Sequence, residues 1–313
     1  MGNQIKIFFV TDIHGSNLCF RKYLNALKVY NVDVGILLGD LTGKVLVPLV
    51  EKVGGGWETT LMRSHTEANT QEELDKLKKT NEMMGYYWVH QTPEEFHKFK
   101  ADPQKVDTLF KQLMLARLKE WIALADERLA GTSYKVYMAA GNDDYFEVDK
   151  VIEDSAVIVN CNGKNVPVGD HEMITFSWAN PTPWNTPREK PDEELEPMLE
   201  ELCALVKDKS NAIFNFHAPP YGYALDLAPK LDENLVQAAD NKIHVGSRAV
   251  AKMIEKYQPL IGLHGHIHES RGAQKAKRTL LINPGSEYSE GILKGVIVIL
   301  EKNKVKDYIF TSG

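Results

Sequence analysis

Three histidines stand at alternate positions in residues 262–272, GLHGHIHESRG: His264, His266 and His268. Alternate residues of an extended segment share one face, so a solvated strand edge is one reading. Their neighbours argue for more. Residues 259–263 (PLIGL) are an apolar run of the kind a buried strand makes, and the histidines begin where it stops. Ligands bind at such strand ends in open α/β sheets, and neutral imidazole is the commonest metal ligand near physiological pH. The pattern recurs along the chain. Asp12 and His14 follow the apolar residues 5–10, Asp40 follows 34–38, Asn142 and Asp143 follow 135–139, and His217 follows 212–216. Carboxylate, carboxamide and imidazole without thiolate suit Mn, Fe, Zn, Mg, Co or Ni. Asp12, His14, Asp40, Asn142, His217, His266 and His268 are too many donors for one four-coordinate ion, whereas two ions about 3.5–4 Å apart, sharing a carboxylate, would use them all.

The elements that must position these donors can be read from periodicity. Residues 5–10 form a first strand, Asn17 caps a helix burying Leu18, Tyr23, Leu24 and Leu27, and residues 34–38 form a second strand ending at Gly39-Asp40. This is a βαβ start, which implies parallel strands. Gly39, Gly141 and Gly265 let the backbone turn tightly beside the donors. After Asp40 the chain turns polar and weakly periodic, with Leu74, Leu77, Met84 and Trp88 on one helical face and a capping box at Thr92-Pro93-Glu94-Glu95. Residues 45–101 therefore read as a mostly helical insertion, either a cap, a subunit contact that would make a homo-oligomer, or a solvated decoration. A strong helix starts at Asp102-Pro103, and strands dominate from Lys135 to the end, within one domain over residues 1–313.

Composition bounds the function. The 313 residues carry a formal charge of -6, against the basic footprint that a nucleic-acid partner calls for. Three well-separated cysteines, Cys19, Cys161 and Cys203, suggest a reducing compartment. No signal-like or membrane-spanning run is evident, and Lys6 spoils a myristoylation signal at Gly2, so a cytoplasmic enzyme with no membrane partner is the expectation.

The motifs DxH (12–14), GD (39–40), GN (141–142), a lone His217 and GHxH (265–268), in this order at strand ends, resemble the calcineurin-like metallophosphoesterase superfamily. The resemblance covers roughly residues 5–43 and 132–300. It implies an α/β fold, a four-layer α/β/β/α sandwich with a dinuclear site at one edge. One metal would be held by Asp12, His14 and His268 and the other by Asn142, His217 and His266, with Asp40 bridging. Manganese is the first choice of ion. The metals would generate a bridging hydroxide that attacks phosphorus in line. His264 precedes GHxH; orienting a neighbour is favoured for it over direct catalysis. Asn283, in Asn283-Pro284-Gly285-Ser286, resembles a family loop that packs near the site.

One departure stands out. Many members have His after GN, where it protonates the leaving oxygen, but Asp143 stands here, followed by Asp144. Asp143 would do that work only with a raised pKa, which nearby cations oppose. Orienting water or substrate is the other role open to it. Arg271 and Arg188 are candidates for a phosphate clamp, because guanidinium pairs with phosphate bidentately. The first expectation is a phosphodiesterase acting on a small or nucleotide-like diester. A phosphomonoesterase or protein phosphatase is the nearest rival, and a binding scaffold with little catalysis is the alternative from another class.

Overall fold

The computed structural model describes residues 4–61, 64–231 and 237–313. Two six-stranded sheets face each other. One runs, edge to edge, Lys304–Ser312, Lys294–Glu301, Ile5–Thr11, Val34–Leu38, Lys135–Ala139 and Ile158–Asn160. The other runs Gly272–Ala276, Thr279–Asn283, Ile261–Leu263, Ile213–Phe216, His171–Phe176 and Asn165–Val168. Successive side chains of a strand point to opposite faces, and the first strand shows the result. Ile7 and Phe9 enter a core shared with the second sheet, including Met173, Ile213 and Ile261. Phe8 and Val10 enter another core with Phe20, Tyr23 and Trp121. Helices Asn17–Val29, Pro103–Leu129 and Glu147–Glu153 cover that outer face. Helices Asp192–Ala204 and Arg248–Tyr257 cover the second sheet through Leu195, Leu199, Val250 and Met253. The layers are α/β/β/α. Among the described residues no helix is long and apolar enough to cross a membrane.

Parallel pairing matters most for the site. Thr11 is level with Leu38, and Leu38 with Ala139. In the other sheet Phe176 is level with Phe216, and Asn215 with Leu263. The loops that leave these strands therefore emerge along one edge of the sandwich.

The structure corrects three readings. Ser16, not Asn17, caps the first helix, its Oγ accepting from Cys19 N at 3.3 Å, and Leu18 stays on the exposed side. Residues 45–101 are not mostly helical. They fold as a four-stranded sheet in the order Ser64–Ala68, Trp57–Leu61, Leu46–Glu51 and Tyr87–Gln91, with helices Gln71–Met83 and Pro93–Lys100. Trp88 consequently lies on a strand and Met84 caps the helix, so only Leu74 and Leu77 keep the expected face. The hairpin WETTL/SHTEA is solvated along much of its length and lacks the alternation that reveals a half-buried strand. Thr92 and Glu95 do close their capping box, with Glu95 N on Thr92 Oγ1 at 3.2 Å and Thr92 N on Glu95 Oε2 at 2.8 Å.

The insertion packs against the loops that leave the first sheet. Ser16 Oγ donates to Met83 O, and Gly43 N donates to Tyr87 Oη at 2.8 Å. The buried Arg117 joins Gly15 O and Tyr86 O at 3.1 and 2.8 Å.

Candidate metal centre

The strand ends are stitched to one another by backbone. Asp12 N donates to Gly39 O at 3.2 Å, His14 N to Asp40 O at 2.9 Å, Gly39 N to Ala139 O at 2.8 Å, and Gly265 N to His217 O at 3.0 Å. Glycine permits the closest approaches. A Cβ on Gly265 would lie 2.0 Å from Thr11 Oγ1 and 2.4 Å from Asp12 Oδ2, and one on Gly39 would lie 2.0 Å from His217 Nδ1. Four of the donor residues adopt left-handed backbone: Asp12 at φ 55°, His14 at 39°, Asp40 at 43° and His266 at 67°. Asp and His tolerate this region better than most residues, and strained backbone of this kind clusters at functional sites.

The side chains converge accordingly. Ligand atoms of Asp12, His14 and His268 lie within 4.8 Å of one another, as do those of Asp40, His217 and His266, and those of His14, Asp40 and Asp143. His14 Nε2 is 3.0 Å from His268 Nε2 and 3.6 Å from Asp40 Oδ2. His217 Nε2 is 2.9 Å from Asn142 Oδ1 and 3.3 Å from Asp40 Oδ1. Thr11 Oγ1 and His266 N donate to Asp12, while Asp143 N donates to Asp40 Oδ1 at 3.0 Å.

Burial disfavours charge on Asp12, yet the hydrogen bond to His268 and the His217 charge hold it down at about 2. Asp40, equally buried, is kept well below the carboxylate range by His217. Burial lowers His266 to about 4 and takes His14 well below its ordinary value, with Lys44 adding to the latter. On His217, burial is outweighed by Asp40 and the pKa rises to about 9. Ionised carboxylates are thus sealed beside imidazoles of which His14 and His266 are held neutral while His217 favours its charged form, and Nδ1 of both His14 and His217 lacks a hydrogen-bond partner. Buried charges need compensation. Clustered carboxylate, carboxamide and imidazole donors fit divalent cations.

The remaining site candidates fall elsewhere. His264 is fully buried, its Nδ1 2.8 Å from Phe216 O, and its Nε2 lies toward Gly262 rather than the cluster. Burial lowers its pKa to about 4. It braces the carbonyl preceding His217. Arg188 is also a correction: it is buried, with Nε on Asp144 O, Nη2 on Tyr145 O and Asp149 Oδ2, and Phe146 against its guanidinium. Burial makes those acceptors obligatory partners, so it secures the GNDD loop and is no phosphate clamp. Arg271 turns to Thr311 O at 3.1 Å and the Phe310 ring. Asn283 holds the histidine loop through Gly265 O and Ile267 O at 3.3 and 3.0 Å.

Three neighbours escaped sequence reasoning. Asp144 is fully buried and accepts from Leu41 N, Thr42 N, Thr42 Oγ1 and Gly141 N; the doubled Asp143-Asp144 was its one trace in the sequence. The Tyr288 ring lies 4.6 Å from that of His14 and 5.9 Å from that of His268. Lys44 pairs with Asp143, whose carboxyl is pushed up to about 7 by burial and by Asp40 against the pull of Lys44. Neither Tyr288 nor Lys44 belongs to a pattern that announces it.

No protein-family model matches the chain. The uncharacterized protein MJ1162 of Methanocaldococcus jannaschii is 33% identical over 162 residues, 50% of this chain and 68% of that protein. One crystal structure, 14% identical and aligned over 99% of both chains, superposes with a TM-score of 0.58. That of TT1561 from Thermus thermophilus is 13% identical over 99% of both chains, with a TM-score of 0.53. At such identities the structural likeness speaks for the fold alone, and the sequence match speaks for kinship: with the sandwich layers and the motif residues gathered at one edge, this chain has the calcineurin-like metallophosphoesterase fold and belongs to the same family as MJ1162.

Proposed function

We propose that this chain is a metal-dependent phosphoester hydrolase that acts on a small or nucleotide-like phosphodiester. The observation that carries the reading is the convergence of Asp12, His14 and His268 with Asp40, His217 and His266 into adjoining groups at one sheet edge. Asn142 completes the set, its Oδ1 turned to His217 and its Nδ2 donating to Thr186 Oγ1 at 2.8 Å. Two divalent ions, manganese first among the candidates, would supply Lewis acidity toward the phosphoryl oxygens and an acidified water as nucleophile. The protein's own part is preorganisation. Hydrogen bonds from Thr11 and from the His266 and Asp143 amides fix the carboxylates before substrate arrives, so little reorganisation accompanies the reaction.

The diester preference rests on charge. A guanidinium clamp is a favoured partner for a monoester dianion, and of the arginines considered for that role Arg188 is buried against carbonyls while Arg271 turns to Thr311 O. Asp143 occupies the position of the superfamily's proton-donating His with its carboxyl paired to Lys44, and an aspartate so paired favours esters whose leaving group needs little help.

The test is hydrolysis of bis(p-nitrophenyl) phosphate beside p-nitrophenyl phosphate by metal-stripped protein resupplied with Mn, Ni, Zn or Mg. Diester turnover restored by a transition metal is expected. Faster monoester turnover would reverse the substrate assignment, and silence with every metal would refute the hydrolase reading.

A further inference from the structure

A phosphoester brings negative charge that metals alone do not orient, and a side-chain cation at the mouth of the site would define which way the ester lies. Lys44 is placed for this. It leaves the loop that begins at Asp40, and its ammonium meets Asp143 Oδ2, the oxygen that also lies 3.9 Å from His14 Nδ1. Its side chain is 50% exposed, whereas those of His14 and Asp40 are 0% and 3% exposed, so the ammonium stands between the sealed donors and solvent. Tyr288 walls the same mouth, its ring against His14 and His268. Arg188 is committed to Asp149 and the GNDD loop, and Arg271 turns to Thr311 O.

We propose that Lys44 is the substrate-anchoring residue: its ammonium, held in place by Asp143, pairs with an anionic non-bridging oxygen of the phosphoester. An ammonium has three donors. One contact to Asp143 leaves the others for substrate. Asp143 then acts as a positioning residue, restraining a flexible four-carbon stem that would otherwise lose rotamer entropy on binding. A single ammonium matches the single charge of a diester. The inference rests on the hydrolase reading for its substrate, but anion binding can be measured without turnover.

The experiment is calorimetric titration of the metal-loaded protein with inorganic phosphate, alongside metal content and bis(p-nitrophenyl) phosphate kinetics. Lys44→Gln should bind phosphate about ten- to a hundredfold more weakly, the worth of one charge-assisted hydrogen bond. KM should rise in parallel, metal content should stay at the wild-type level, and Lys44→Arg should recover part of the affinity. Asp143→Asn should loosen the Lys44 stem and weaken phosphate binding by less than Lys44→Gln does. Unchanged phosphate affinity in Lys44→Gln would overturn the proposal, as would loss of metal from that variant, since Lys44 would then be a prop for the ligands. Wild-type protein that binds phosphate through Lys44 but cleaves neither ester would refute the hydrolase reading and leave the anchor standing. Hydrolysis with wild-type phosphate affinity in Lys44→Gln would do the reverse, and wild-type protein that binds no phosphate would defeat the anchor outright.

Discussion

The half of the site carried by the first sheet and the half carried by the second reach one edge with different materials. The first contributes Asp12, His14, Asp40 and Asn142, and the second contributes only the imidazoles of His217, His266 and His268. Their supports differ in the same way. The first half is tied by the Asp144 carboxylate, whose two oxygens take four donors from the loops after Leu38 and Ala139. The second is tied by neutral groups, the Asn283 carboxamide on two carbonyls and His264 on a third. An ionised carboxylate offers about four lone-pair sites and can gather several N–H groups at once. A carboxamide or imidazole, being neutral, holds each partner less strongly. The half that carries the buried negative charge is therefore also the half with the stronger brace, and backbone strain at Asp12, His14 and Asp40 falls on that side.

The largest expected effect comes from removing a ligand shared in space by both halves. His266 lies with Asp40 and His217, and its backbone N–H holds Asp12. His266→Ala should lower metal affinity beyond the roughly 10–100-fold typical of losing an outer partner, and ester hydrolysis should fall with it. Metal content after dialysis and diester turnover read this out. Full activity would refute a two-ion site. Asp144→Ala should come next, leaving four buried donors without an acceptor. A cost of about 3–5 kcal/mol is expected, since each stranded buried donor costs about 1–3 kcal/mol and local relaxation recovers part of it, read as a lower denaturant midpoint at unchanged slope. A loss under about 1 kcal/mol, the worth of one ordinary hydrogen bond, would mean that the loops hold without their brace and that the two halves do not differ.

Much of this site was legible because each donor follows an apolar strand, and parallel strands put such positions at one edge. The brace was less so. Asp144 is one of two adjacent aspartates, and only the fold shows that it turns inward to amides while Asp143 meets Lys44. Arg188 misled because sequence shows a cation in a Pro-rich loop but not the carbonyls that claim it. His264 shares spacing with two donors, yet it still belongs to the strand end and points back along it toward Gly262. The insertion was misread for a reason of composition: its edge hairpin is polar on both faces, and the positive-φ glycines Gly54, Gly55 and Gly56 turn the chain between two paired strands.

The smallest effect should come from the neutral brace. Asn283 donates to Gly265 O and Ile267 O, which flank His266, and its Oδ1 accepts from Gly285 N at 2.8 Å. Asn283→Ala removes these bonds and strands the carbonyls in a dry interior. Neutral bonds of this kind contribute about 1 kcal/mol each, and the loop after Leu263 keeps independent support from Gly265 N on His217 O. A loss of about 1–3 kcal/mol is expected, less than for Asp144→Ala, with metal affinity falling about tenfold as His266 and His268 lose their fixed orientation. Denaturant midpoints of the two variants, measured metal-free, make the comparison direct, because metal binding would otherwise add its own stabilisation. Equal losses would show that the charge on Asp144 contributes nothing beyond its geometry, and the asymmetry between the two halves would then lie in the ligands alone.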